Sequence, residues 1–326
     1  MRIVFWGTPD FAVPSLRALL GEGHDVVGVV TQPDRPAGRG RKLRASPVKE
    51  VALEEGIPVL TPHRPRGEDF LEELRALAPE LSVVVAYGHI LRPEVLDLPP
   101  RGSVNVHASL LPELRGAAPV NWAVVRGHSR TGVTIMRMTE GMDEGPVLLQ
   151  RELPIGPEDS ATGLYLRLSE LGASALLEAL ALMELGALEE REQEHSRATY
   201  APKVDRETAR IDWTRPAPEV ANHVRGMDMV PGAWSLLGDD PVKLFRPKVV
   251  GASLPEHMPN EAEGSAGPVP GEPGMVLLAD PDQGLVVATG AGAVRFDEVQ
   301  PAGKRRMPAR DWLLGGKVQP GARFHG

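Results

Sequence analysis

Cysteine is absent from all 326 residues. That excludes a disulfide framework, a thiolate nucleophile and any cysteine-built metal site. No apolar run approaches the ~20 residues of a membrane-spanning helix, and the N-terminus lacks the charged-then-apolar pattern of a secretory signal. A cytoplasmic protein without a membrane partner is expected. Positive charge is in deficit: 36 Lys and Arg against 44 Asp and Glu leave a formal net charge of −8, which argues against a generally adhesive nucleic-acid binder. The turn after the first apolar run, Gly7-Thr-Pro-Asp10, lacks the three-glycine dinucleotide fingerprint, so a nicotinamide cofactor is disfavoured. There is no Gly-x-Ser-x-Gly elbow and no internal repeat.

What remains is a globular composition, 42% hydrophobic and 25% charged, in a chain long enough for two domains. Continuous apolar runs at 2–7, 25–31 and 81–86 read as buried parallel strands. Helical patterns at 9–21, 46–55 and 68–77 alternate with them, Ser46 serving as an N-cap. Strands are expected at 131–138 and 146–153, and a long helix at 160–185. Beyond a charged, weakly periodic stretch the chain reads as short strands between Gly/Pro turns, the pattern of a small barrel. The fold expected is therefore α/β: a Rossmann-like, mostly parallel sheet domain followed by a smaller β-barrel of oligonucleotide-binding type. The expected boundaries are 1–187 for the first domain, 188–206 for a linker and 207–326 for the second. Residues 251–273 are rich in Pro, Gly, Ala and Glu and read as a mobile loop.

Residues 102–119 organise the first domain. Ser103 to Val106 reads as a strand bearing Asn105 and His107 near its end. Residues two apart share a strand face, so an amide and an imidazole project together where open α/β sheets place their chemistry. Such a pair suits a carbonyl that becomes an oxyanion under attack. Elsewhere, residues 32–44 carry five basic residues against Asp34 in an acidic protein. With Pro33, Pro36, Gly38 and Gly40 they read as an irregular loop, and composition alone favours a solvated surface role. Asp143, beside Gly145, reads by spacing alone as a turn aspartate.

Taken together, Asn105-Val-His107, Ser109-Leu-Leu-Pro112 and Arg115-Gly-Ala-Ala-Pro119 resemble the formyltetrahydrofolate-dependent transformylases. Gly7-Thr-Pro-Asp-Phe11 and Thr31-Gln-Pro-Asp-Arg-Pro-Ala-Gly-Arg-Gly40 point within that family to members acting on initiator methionyl-tRNA. The resemblance extends from about residue 2 to the Gln300–Lys304 region.

The resemblance implies an enzyme that moves a formyl group from 10-formyltetrahydrofolate, a co-substrate, to the α-amine of methionine on initiator tRNA, without a metal and as a monomer. It implies catalytic roles for three residues: Asn105 donating to the formyl oxygen, His107 adding a second contact as imidazolium, and Asp143 orienting that ring and receiving the amine proton. Tyr87 and Gly88, through their peptide groups, and Ser109, Leu110, Leu111 and Pro112 are implied in holding the folate. The basic loop is implied to reach the acceptor end of the tRNA with Arg35, Arg39, Arg41 and Lys42, where glycines supply mobility and arginines phosphate contacts. Lys203 from the linker and Lys304, Arg305 and Arg306 from the second domain would grip RNA backbone. Glu113-Leu114 depart from the basic and aromatic residues many members carry there. A transformylase of small amines would share Asn105, His107 and Asp143 but would need neither the arginine-rich loop nor the basic end of the chain.

Overall fold

Behind Arg2, five consecutive residues of the first strand are buried, the mark of a strand covered on both faces. The computed structural model describes residues 1–37, 42–228, 230–250, 271–316 and 318–325. In chain order the elements are β1 (Arg2–Gly7), α1 (Val13–Gly21), β2 (Asp25–Val30), β3 (Arg35–Ala37), β4 (Lys42–Arg44), α2 (Pro47–Glu54), β5 (Val59–Leu60), α3 (Glu68–Ala76), β6 (Leu81–Val85), α4 (Pro93–Leu96) and β7 (Ser103–His107). There follow α5 (Pro119–Val125), β8 (Arg130–Arg137), β9 (Val147–Pro154) and α6 (Ala161–Glu184). Ser46 does cap α2: its hydroxyl accepts the Lys49 amide at 3.1 Å, with Pro47 pre-set for the first turn.

The principal sheet has the order β5-β2-β1-β6-β7-β8-β9. Its first five strands are parallel and the last two antiparallel. β-branched residues fill its interior because both faces of the parallel half are covered. The loops that follow β6 and β7 leave the C-terminal end of the parallel half, whereas the connection between β8 and β9 leaves beside the start of β7, where Arg137 pairs with Val104, and reaches back to the His107 ring. Residues 32–44, expected as an irregular loop, instead contain a short antiparallel hairpin pairing Arg35 with Arg44 and Pro36 with Leu43. Pro36 lies within the first arm, where a proline masks strand periodicity. Arg39 and Arg41 lie outside the described residues, as do residues 251–270 of the loop expected at 251–273.

The chain divides into two compact units. The first comprises 1–119, 130–155 and 163–202; the second comprises 120–129, 156–162 and 203–326. Residues 188–202, read from sequence as linker, are thus packed into the first unit. Polar side chains there are engaged by partners distant in sequence, which periodicity does not register. The second unit holds α7 (Ala217–Gly226), β10 (Trp234–Leu237), β11 (Asp240–Val250), β12 (Val276–Asp280), β13 (Gly284–Ala288), β14 (Ala293–Pro301), β15 (Met307–Pro308), α8 (Ala309–Leu313) and β16 (Phe324–His325). Its antiparallel sheet runs β12-β13-β14-β11-β10-β16, and a bridge between Met275 and Arg323 links its two ends. Trp213, Phe296 and Phe324 meet inside this curled sheet. The indole of Trp213 is satisfied by the Ser235 hydroxyl at 2.9 Å.

One core residue of the first unit has a measurable electrostatic signature. Tyr87 is 2% exposed, packs edge-on against Trp6, and its hydroxyl has no hydrogen-bond partner among the described residues. Burial pushes its phenol up from 10.0 to about 12, because a phenolate there is desolvated. Between pH 10 and 12 the unfolded chain ionises at this position while the folded chain does not. Stability should therefore fall with rising pH, approaching about 1.4 kcal/mol per pH unit from this group. Tyr87→Phe should remove that component when urea unfolding is compared at pH 7 and 11. At pH 7 the variant should be as stable as the parent or up to about 2 kcal/mol more so, since it loses an unpaired buried hydroxyl.

Candidate functional site

β7 lies between β6, its parallel neighbour, and β8, its antiparallel one. Asn105 pairs with Val84 and Met136, and His107 with Thr134. Asn105 is half-buried and its amide makes no hydrogen bond to another side chain or backbone group among the described residues. His107 is 5% exposed. Its Nε2 is 3.0 Å from the Leu114 carbonyl oxygen, so the neutral ring carries its proton on Nε2 and donates there. Nδ1 lies 3.7 Å from Asp143 Oδ2. A proton added at Nδ1 would satisfy both ring nitrogens at once, one on a carbonyl and one facing a carboxylate. Leu114 already occupies Nε2, so a direct contact from His107 to a formyl oxygen would have to come from Nδ1. The ring can act by its charge.

Asp143 sits in the connection between β8 and β9 at φ 51°, a left-handed conformation uncommon outside glycine. Its Oδ2 accepts the backbone N–H of Gly116 at 2.8 Å. Gly116 is itself at φ 113°, and a Cβ there would come 2.9 Å from the Ala201 carbonyl oxygen. Glycine is required both by that conformation and by that approach. The two loops after β7 and β8 are thereby joined through one carboxylate.

The Ser109–Pro112 turn is held by its own serine and by side chains of β8 and β9. The Ser109 hydroxyl donates to Glu113 O at 2.6 Å. Thr134 Oγ1 donates to Ser109 O at 2.6 Å and accepts the Leu111 N–H at 3.1 Å. Gln150 Nε2 donates to Leu111 O and to Thr134 Oγ1. The Leu111–Pro112 peptide is cis. Leu111 packs with Met136 and Val147 in a small buried cluster, whereas Leu110 is only half-buried. Of the two leucines read as apolar contacts for a folate, Leu110 is thus the one with surface to offer. Ser109, its hydroxyl already spent, shapes the turn. Thr134 and Gln150 were not singled out from sequence; the available signal was a hydroxyl and an amide at paired positions of two apolar strands.

Tyr87, read as a folate-holding residue, turns its ring into the core. Its carbonyl already accepts the Thr8 hydroxyl at 3.1 Å and the Gln32 amide at 2.9 Å. Gly88 follows at φ 85°. A larger omission from the sequence reading is the segment 191–201. Arg191 and Val147 exchange backbone hydrogen bonds of 2.8 and 2.9 Å, which sets Gln193, 5% exposed, beside the Asp143 loop. Gln193 Nε2 donates to the carbonyls of Asp143 (2.9 Å) and Gly145 (2.7 Å), while its Oε1 accepts from Arg115 at 3.2 and 2.7 Å. Arg115 also reaches His195 Nδ1 at 3.0 Å. Flanked by Glu192 and Glu194, Gln193 carries no local sign of burial.

Among the basic residues read as RNA contacts, Arg35, Lys203, Lys304 and Arg305 are exposed. Arg306 is exposed as well but is engaged within the protein. It pairs with Asp228 at 3.0 Å and with Glu298, and its guanidinium lies 4.1 Å from the Phe245 ring centre. Arg39, Arg41 and the Lys42 side chain lie outside the described residues. Among the described residues no group of three or more His, Asp or Glu could hold a metal, and no helix is long and apolar enough to cross a membrane.

Comparison with known proteins agrees with this architecture along the whole chain. Residues 1–180 match the formyl transferase family and residues 203–317 the formyl transferase C-terminal domain. The methionyl-tRNA formyltransferase of Heliobacterium modesticaldum is 47% identical over 324 residues, 99% of this chain and 100% of the relative. That of Geobacter sulfurreducens is 43% identical over 324 residues, 99% of this chain and 96% of the relative. Among solved structures, an N-formyltransferase from Helicobacter canadensis superimposes with a TM-score of 0.65 at 17% identity, covering 94% of this chain and 100% of that one. HypX from Aquifex aeolicus in complex with tetrahydrofolic acid gives 0.63 at 21% identity over 96% of this chain and 47% of that one. With both parts of its length matched, and with full-length relatives above 40% identity, this chain belongs to the formyl transferase family.

Proposed function

We infer that this chain transfers the formyl group of 10-formyltetrahydrofolate to the α-amino group of methionine on initiator methionyl-tRNA. The observation that carries the inference is a free Asn105 amide on the same strand as a His107–Asp143 pair, in a chain alike over its full length to methionyl-tRNA formyltransferases. In the reaction the amine nitrogen attacks the formyl carbon, the bond from that carbon to N10 breaks, the amine loses a proton and N10 gains one. The nucleophile belongs to a substrate, which accords with a chain that has no cysteine. The protein's task is then to hold two substrates in attack geometry, to stabilise a tetrahedral oxyanion and to handle one proton.

Asn105 supplies the donor to the formyl oxygen, and its lack of another partner is what suits it to that role. His107, fixed by Leu114 and facing Asp143, places positive charge beside the developing oxyanion when its second nitrogen is protonated. Asp143 sets the ring and receives the amine proton, directly or through water. Gly88, Leu110 and Pro112 line the folate side. Arg35, Arg39, Arg41, Lys42, Lys203, Lys304 and Arg305 meet RNA phosphate, with Arg306 bracing its own surface. The first domain, 1–187, performs the chemistry and 207–326 adds grip on tRNA; the enzyme works in the cytoplasm as a monomer. A small-amine formyl transferase is the second reading, favoured by the fold neighbour described as an N-formyltransferase with dTDP-3-aminofucose. The arginine-rich stretch at 32–44 weighs against it.

Labelled 10-formyltetrahydrofolate offered with charged initiator tRNA, and separately with small amines, should label the aminoacyl-tRNA alone; labelling confined to a small amine would reverse the inference. Asn105→Ala, His107→Ala and Asp143→Asn should each lower turnover about 100- to 1000-fold while remaining folded. Near-parental turnover in any of them would remove that residue from the chemistry. Replacing Arg39, Arg41 and Lys42 together by alanine should flatten the dependence of log affinity for tRNA on log salt, by roughly 0.7–0.9 for each phosphate that is no longer neutralised. An unchanged slope would exclude phosphate binding by those residues.

A further inference from the structure

We propose that Gln193 is a positioning residue: by gripping the Asp143 loop on one side and the buried Arg115 guanidinium on the other, it keeps the Asp143 carboxylate in register with His107. The proposal rests on the formyl-transfer reading above and adds to it a residue that makes no contact with the reacting atoms.

Asp143 needs such support. Its backbone sits in the left-handed region, a strained conformation that persists only where the surroundings over-determine it. Its side chain is tied to Gly116, but the backbone on either side of it has to be placed as well. Gln193 does this with both protons of its amide, one on the Asp143 carbonyl and one on the Gly145 carbonyl. The amide cannot turn over to serve another arrangement. Arg115 presents two donors to Oε1, and a flipped amide would set N–H groups against a guanidinium. Arg115 therefore selects the orientation of Gln193, and Gln193 selects the path of the Asp143 loop.

The arginine is unusual in its own right. It is 3% exposed, forms no ion pair among the described residues, and spends its side-chain donors on the neutral acceptors Gln193 and His195. A guanidinium buried without a carboxylate is costly, so packing stability does not account for it; fixing an amide beside an aspartate does. The same segment is stitched to the other loop of the site. Arg115 N–H donates to Thr199 O, and the N–H groups of Ala201 and Ala118 donate to Arg115 O and Ala201 O. The Leu114 N–H donates to the Thr199 hydroxyl at 2.9 Å, while the Leu114 carbonyl is the group that holds His107. Residues 191–201 thus fix both members of the His107–Asp143 pair from behind.

Two substitutions separate this role from simple packing. Gln193→Ala removes both halves of the grip. Gln193→Glu keeps oxygen acceptors for Arg115 but presents no donors to the two carbonyls. Steady-state formylation of charged initiator tRNA, with thermal unfolding of each variant, should show folded proteins whose kcat falls about 100-fold, while KM for tRNA and for the folate changes less than about twofold. If the alanine variant does not fold, the glutamate variant decides, and Arg115→Lys, which keeps the charge but loses the two-donor grip, should show the same split. Turnover within about threefold of the parent in a folded Gln193 variant, or a loss carried by KM, overturns the proposal. Nitrogen-15 resonances of the His107 ring, recorded without substrate, keep it distinct from the functional reading. They should shift in Gln193→Glu as Asp143 moves, whatever substrate is used, and unchanged resonances would overturn positioning even if the enzyme formylates tRNA. Failure of the parent to formylate tRNA, or full turnover in Asp143→Asn, would instead count against the functional reading.

Discussion

A carboxylate can orient an imidazole only if something else orients the carboxylate. In this protein the His107–Asp143 pair, 3.7 Å apart, joins loops that arise from different strands. The first contains glycine at an extreme backbone angle and the second an aspartate in the left-handed region. Their fixed relation comes from hydrogen bonds that span long separations in the chain: Gly116 to Asp143, His107 to Leu114, and Gln193 to both the Asp143 loop and Arg115. Buried polar groups in a low-dielectric setting are favourable only when fully paired, and here the pairing makes the site.

That constraint explains the division of labour within the first unit. The parallel half of the sheet, β5 to β7, is an apolar platform whose regularity supports strand ends of defined position. β7 then changes from a parallel to an antiparallel neighbour, and the polar residues gather at that change. Thr134 and Gln150, from the two antiparallel strands, hold the Ser109–Pro112 turn from beneath. Asn105 is left with an unclaimed amide. The proposed stabilisation of an oxyanion rests on that free amide donor.

How much of this was legible in advance depended on the range of the interactions. Strands such as Arg2–Gly7 and Leu81–Val85 announce themselves because burial on both faces demands unbroken apolar runs. Asn105 and His107 stood out because two-residue spacing on a strand is a local fact. Ser46 as a cap was legible for the same reason. The hairpin at Arg35–Arg44 was not, since proline and glycine hide its alternation. The commitment of Tyr87 to the core and of Arg306 to Asp228 and Glu298 was hidden too: an aromatic or an arginine looks the same in a chain whether its partner is a ligand or another part of the protein.

Residue order alone was therefore enough for the α/β character of the first part, the β-rich second part and the family, and it named the three residues on which the proposed chemistry rests. Each of these is written in periodicity or in short motifs. Which polar groups are free and which are spent was decided only by folding. Ser109 and the Tyr87 carbonyl proved occupied, and residues 188–202, which read as a charged tether, proved to be packed into the first unit. The physical reason is that a hydrogen bond between Gln193 and Asp143 spans 50 positions, and no local pattern records a partner that far away.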